Sequence, residues 1–139
     1  MIDIENDVFN YVSRRIFSYF PSLLMKSEFE ASPASFPAAT LVEADNSVLQ
    51  RMRTENIENA ATVMYEVNVF SSKASARKSE AKAIADKIDE LMGEIGFTRI
   101  MRQQVPNLAD ARVYRIVSRY SAVVGPNGEN RFLIYHNYF

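Results

Sequence analysis

Cysteine and tryptophan are missing from this 139-residue chain, there is one histidine, and glycine occurs only four times. Without cysteine, disulfides, thiolate zinc sites and thiol catalysis are excluded outright, and a reducing compartment is compatible but not required. The one histidine, His136, cannot make an ordinary zinc site unless several carboxylates converge on it. Its neighbours Tyr135, Asn137 and Tyr138 point to a structural or surface role. No G-x-x-x-x-G-K-[ST] or G-x-G-x-x-G is present, and the glycines fall where turns or helix ends are expected, so nucleotide binding has no positive evidence. No G-x-S-x-G elbow supports a serine triad. No apolar run approaches the ~20 residues that span a bilayer. The opening Met1-Ile-Asp-Ile-Glu-Asn-Asp7 is acidic where a signal peptide would be basic and then apolar, so a cytoplasmic site of synthesis and use is expected. A net charge of −1 and a pI near 5.9 argue against a dedicated nucleic-acid binder with a dense basic face. No cofactor or metal and no catalytic residue is expected.

What remains is ordinary globular material. The hydrophobic fraction of 47% and the charged fraction of 24% fit a folded chain rather than a disordered one. At this length one domain, residues 1–139, is the expectation, because a second would have too little core.

Periodicity predicts the elements. Val8, Val12, Ile16 and Phe20 stand four apart, with Phe9 and Tyr19 beside them, which predicts an amphipathic helix over Asp3–Phe20 ended by Pro21. Asp3, Glu5 and Asp7 suit its positive end and Arg14 and Arg15 its other end. Residues 21–38, rich in proline and serine, predict a long, partly extended connection with a helical turn around Ser22–Lys26. Ala39–Ala44 is a predicted short strand. Asp45 and Asn46 begin a second predicted long loop, about residues 46–60, with Ser47–Asn59 as a polar surface loop or extended hairpin arm carrying Arg51, Arg53, Glu55 and Glu58; a loop this long in a small domain is usually functional. Ala61–Phe70 alternates as a strand, with Ala61, Val63, Tyr65, Val67 and Val69 on one side. Met64 and Phe70 on the other side predict that it is partly covered. Ser75 is the expected N-cap of a helix over Arg77–Ile95, whose stripe is Ala81, Ile84, Ile88, Leu91 and Ile95, with Gly96 as terminator. Strands are predicted at Phe97–Gln104 and Arg112–Val124, separated by a turn at Pro106-Asn107. Gly125-Pro-Asn-Gly128 is a turn signal, and Arg131–Phe139 predicts a final aromatic strand or tail. The sum is an α+β fold: an N-terminal helix and a mainly antiparallel or mixed sheet of four to five strands, with one long helix packed on a face.

Three clusters carry the functional reading. Asp86, Asp89, Glu90 and Glu94 interleave with Lys82 and Lys87, which favours a solvated helical face over a metal site. Arg99 and Arg102 lie on one predicted strand, and Arg112, Arg115 and Arg119 on the next; if these pair, guanidinium groups collect on one sheet face. They either pair with Glu66 and the helix carboxylates, or form a subunit contact or the lining of a channel for an anionic polymer. Phe29, Phe36, Phe70, Phe132, Tyr135, Tyr138 and Phe139 are more aromatic surface than a monomer readily hides, and the terminal cluster suggests a docking surface. The expected interface residues are Arg51, Arg53, Arg99, Arg102, Arg115, Arg119, Phe132, Tyr135 and Tyr138.

The segment Val63-Met-Tyr-Glu-Val-Asn-Val-Phe-Ser-Ser72, with Lys78-Ser-Glu-Ala-Lys-Ala-Ile-Ala-Asp86, Glu94-Ile-Gly-Phe-Thr-Arg99, Pro106-Asn107 and Tyr114-Arg-Ile-Val-Ser-Arg-Tyr-Ser-Ala-Val-Val124, resembles the tail-terminator or tail-completion proteins of tailed bacteriophages, also described as head–tail joining or minor capsid proteins. The resemblance spans about Phe36 to Val124 and rests on structural patterns, not catalytic signatures. It implies a structural virion protein that forms a ring, usually a hexamer. The ring caps the completed tail tube at the head–tail interface, with the tube protein and the head-completion or connector protein as partners and DNA only passing through the lumen. Assembly in the host cytoplasm and no membrane partner are implied. The alternatives are a head-completion adaptor or tail-tube subunit of the same phage, a small α+β enzyme, and a binding module of the host cell.

Overall fold

In a computed structural model, residues 3–48, 61–107 and 110–125 are described. They form helix α1 (Glu5–Phe17), strands β1 (Leu24–Lys26), β2 (Ala38–Val48) and β3 (Ala61–Ser71), helix α2 (Arg77–Glu94), and strands β4 (Thr98–Pro106) and β5 (Tyr114–Val124). The five strands make one sheet in the order β1-β2-β3-β5-β4, antiparallel throughout except for the parallel β1–β2 pair. This is the expected α+β architecture, with a mixed sheet.

The central strand β3 explains the layering. Its odd-numbered residues, Ala61 through Val69, are all buried, and they meet Leu41 and Ala39 of β2 and Ile116, Tyr120, Ala122 and Val124 of β5 on one face. Both helices cover that face. From α1 come Val8, Tyr11, Val12 and Ile16; from α2 come Ala81, Ile84, Ala85, Ile88, Leu91 and Met92. The predicted stripe of α2 is the packed one, and that of α1 holds for Val8, Val12 and Ile16; α1 ends at Phe17 rather than at Pro21, so Phe20 lies half-buried beyond it and Tyr19 is exposed. Tyr11, Ala85 and Met92 are added where the apolar band is wider than a single row of the helix. Phe97 follows α2 and stands edge-on to Tyr65, ring centroids 5.4 Å apart.

The opposite face has a smaller cover. Phe70, Ala38 and Val113 are buried there with half-buried Leu24 and Phe36 against them. Met64 remains half-buried, and Phe70 is fully buried, so the expectation of a partly covered second face holds while Phe70 is not surplus surface. Phe36 is also half-buried; Phe29 stays 48% exposed.

Boundaries differ from expectation for identifiable reasons. The helical turn around Ser22–Lys26 is instead β1, because Leu24–Lys26 find backbone partners in Ala38–Thr40. Strand β2 runs on through Val48, past the expected start of the arm at Ser47, because a bulge between Glu43 and Asp45 absorbs one residue and lets the ladder continue to Ala61. Pro106 closes β4 rather than opening a turn, a tolerable place for a residue without an N–H because β4 is an edge. Ser75 does not cap α2. It sits at φ 59 one residue early, the cap is Ala76 with no side-chain bond, and Ser71 Oγ instead donates to Glu80 Oε1 at 2.6 Å. Gly96 does terminate the helix, at φ 88, in the left-handed conformation glycine tolerates. The expected Leu49–Asn59 part of the arm, the turn after Gly125 and the tail Arg131–Phe139 lie outside the described residues.

Because Ile88 is fully buried between sheet and helix, Ile88→Ala is expected to cost about 2–5 kcal/mol of unfolding free energy. Val123→Ala, at a side chain 53% exposed, is expected to stay within about 0.5 kcal/mol. Urea unfolding followed by circular dichroism compares the two.

Candidate subunit interface

The arginines do not form one patch. Residues opposite each other in an antiparallel pair share a face, and Arg99 and Arg102 lie opposite Tyr120 and Ser118, on the side covered by the helices. Arg115 and Arg119 lie opposite Phe70 and Glu66, on the other side. Arg112 precedes β5 and binds Asp110 beside it. A single guanidinium surface is thus corrected to two. The reason is the bulge in β4 at Ile100, between Arg99 and Met101, which puts Arg99 and Arg102 on one face despite their odd spacing.

Each set is already engaged. Arg99 Nη1 reaches Asp89 Oδ1 at 3.4 Å, and Arg102 Nη1 reaches Asp86 Oδ1 at 2.6 Å. Arg119 Nη2 pairs with Glu66 Oε2 at 3.1 Å. Arg115 Nε donates to Asn68 Oδ1 at 2.9 Å, with its guanidinium 5.2 Å from the Phe29 ring and 5.8 Å from that of Phe70. Ion pairing with Glu66 and with the helix carboxylates is therefore what the geometry provides. Such exposed pairs contribute about 0–1 kcal/mol each, so they orient side chains more than they hold the fold. The α2 carboxylates are accounted for in the same way: Glu90 binds Lys87 and Glu94 accepts from the Tyr11 hydroxyl. Among the described residues no group of acidic side chains could hold a metal ion.

Two margins of the sheet stay open among the described residues. β4 pairs only with β5, and β1 covers β2 only at Ala38–Thr40, leaving the outer edge from Leu41 to Val48 without a strand. Beside the β4 margin a shallow cleft of about 400 Å³ is lined by Lys82, Arg99, Arg102, Gln103, Gln104, Tyr114 and Ile116. Ile100 projects from the bulge with 52% of its surface exposed.

The β2 margin is acidic. Glu43 and Asp45 sit at its bulge, and the charges of Asp3 and Glu5 at the start of α1 act on Glu43. The Glu43 carboxyl is held above the ordinary glutamate range, chiefly by burial; the Asn46 amide opposes this, while Glu5 (by hydrogen bond and charge) and Asp3 add to it. Near it lies the Tyr65 hydroxyl, buried and without a hydrogen-bond partner among the described residues. Burial and the same carboxylates push that phenol far upward. Tyr120, its neighbour across the sheet, donates to Asp89 at 3.0 Å and is raised likewise, mainly by burial.

Of the expected interface residues, Arg99, Arg102, Arg115 and Arg119 are placed as above. Arg51, Arg53, Phe132, Tyr135 and Tyr138, with His136, lie outside the described residues. The acidic margin is missed from sequence, because a strand residue and a loop start give no sign that Glu43 stands beside Glu5 at the start of α1; the bulge turns Asp45 to the other face of the same margin, opposite Met64. No helix among the described residues is long and apolar enough to cross a membrane. The chain matches no protein-family model and no curated protein.

Glu43 sets a pH signature. Its raised native pKa means that the folded protein holds a proton which the unfolded chain has released, so stability is present below the ordinary value of 4.5 and falls as pH rises through the native value. Glu43→Gln is therefore expected to raise the unfolding midpoint at pH 7, with the gain over wild type closing below 4.5; thermal unfolding across pH checks it. Tyr65→Phe is expected to be neutral or stabilising, because it removes an unpaired buried hydroxyl, whereas Tyr120→Phe is expected to cost about 1 kcal/mol in the same measurement.

Proposed function

We propose that this chain is a structural subunit of a bacteriophage tail, which assembles as a ring, caps the completed tail tube and joins it to the head connector. The observation that carries the reading is a sheet shielded by helices on one face and, among the described residues, open at both lateral margins. Open edges are places where another chain adds, and a subunit with different margins on its two sides associates head to tail, which closes into a ring when the rotation permits. The resemblance over Phe36–Val124 points the same way.

Termination needs no chemistry on this reading. A tube of stacked rings stops growing when its last ring carries a subunit with one face that fits the tube and another that does not repeat it. Helices on one side of the sheet and a loop-covered strand surface on the other provide unlike faces. The polar arm that follows β2, whose last residue is Val48, and the Ser22–Pro37 connection make the contacts between rings, and the lumen passes DNA without reading its sequence. The chain is not an enzyme on this reading.

Imaging of phage particles carrying a labelled copy of the chain is expected to place the label once, at the upper end of each tube; repetition along the tube would make it a tube subunit, and a position inside the head a head-completion adaptor. Deleting Leu49–Glu58 is expected to abolish correctly joined, infectious particles. Recovery of such particles would count against the arm's role.

A further inference from the structure

We infer that the two open margins are complementary to each other, so that the Thr98–Arg102 half of β4 on one copy adds to the Leu41–Asp45 part of β2 on the next, continuing the sheet from subunit to subunit. This deepens the ring reading and rests on it.

Strand direction permits the contact. β2, β3, β5 and β4 alternate in direction, so a copy displaced sideways with its helices on the same side presents β2 antiparallel to β4. Level permits it too. Glu43 lies opposite Tyr65, Tyr65 opposite Tyr120 and Tyr120 opposite Arg99, one cross-sheet row on the helix-covered face with an acid at one end and a guanidinium at the other. In the laterally repeated sheet, Arg99 then meets the next copy's Glu43 as an opposite-charge cross-strand pair. Strand β1 occupies the Ala38–Thr40 part of the β2 edge and confines the contact to the half level with Thr98–Arg102.

Charge supplies the selectivity. The β4 margin offers Lys82, Arg99 and Arg102 around one cleft. The β2 margin offers Glu43 and Asp45, with Asp3 and Glu5 acting on Glu43. Arg99, 43% exposed, binds Asp89 through one terminal nitrogen and has further N–H donors for a second carboxylate. An arriving cation also offsets the like charges of Glu5 and Asp3, which add to the effect of burial in raising the Glu43 carboxyl. Like margins repel, which disfavours a two-fold dimer through either edge.

A cysteine-free chain makes the test direct. Thr98 lies opposite Ser121, Ser121 opposite Met64 and Met64 opposite Asp45, a row on the other face whose exposed ends belong to the two margins. Full-length Thr98→Cys and Asp45→Cys proteins are purified separately, mixed at high concentration or on isolated tail tubes, and oxidised. Cross-strand neighbours lie within disulfide reach, so a disulfide-linked heterodimer is expected from the mixture and is lost when either variant is omitted. Its yield is expected to fall in about 1 M salt, where screening acts over about 3 Å. Rings seen by sedimentation or microscopy without this heterodimer overturn the seam and leave the ring standing. Covalent dimers formed by either variant alone mean a two-fold contact and also overturn it. Monomers at every concentration and on tubes, with no heterodimer, overturn both the seam and the ring.

Discussion

The burial of one face of the central strand is the constraint from which everything else follows. β3 carries five consecutive odd-numbered apolar positions, Ala61 to Val69, with no exposed residue among them. Apolar area of that density is removed from water only if a second layer covers it, and two helices do so, α1 over the side nearer β2 and α2 over the side nearer β5 and β4. Once both helices lie on one face, the strands at either side cannot be shielded by them as well. The open margins are thus a result of how the core is made.

The second face shows the opposite solution. There the sheet carries Glu66, Asn68, Arg115 and Arg119, which pair across strands as Arg119 with Glu66 and Arg115 with Asn68. A short loop layer suffices at one end, over Phe70, while Val123 stays open at the other. The two sides therefore differ in chemistry as well as in shape, and a planar assembly of such subunits has two unlike surfaces without any further device.

Much of this was legible in the residues. The stripes of α1 and α2, the alternation of β3 and the stop at Gly96 follow from periods and backbone preferences that are local, so a single sequence displays them. The parts that escaped depend on non-local pairing. β1 exists because three residues find an edge fourteen positions away, which no local pattern announces. The continuation of β2 past Glu43 and the facing of Arg99 with Arg102 both depend on a bulge, and an inserted residue inverts the alternation on which a strand reading relies. Of the candidate interface, the bland pairing of the arginines with Glu66 and the helix carboxylates was legible from charge spacing alone. The acidic margin was not, because it joins the start of α1 to the middle of β2, forty residues apart.

The kink that thrusts Ile100 outward has one more effect. An uninterrupted nine-residue strand at a border would invite indiscriminate stacking into fibres. By breaking the register after Arg99 and tightening the local twist, the extra residue makes that border a poor template for arbitrary extended peptides. Only a partner whose own edge matches that irregular register can then pair along the whole of it.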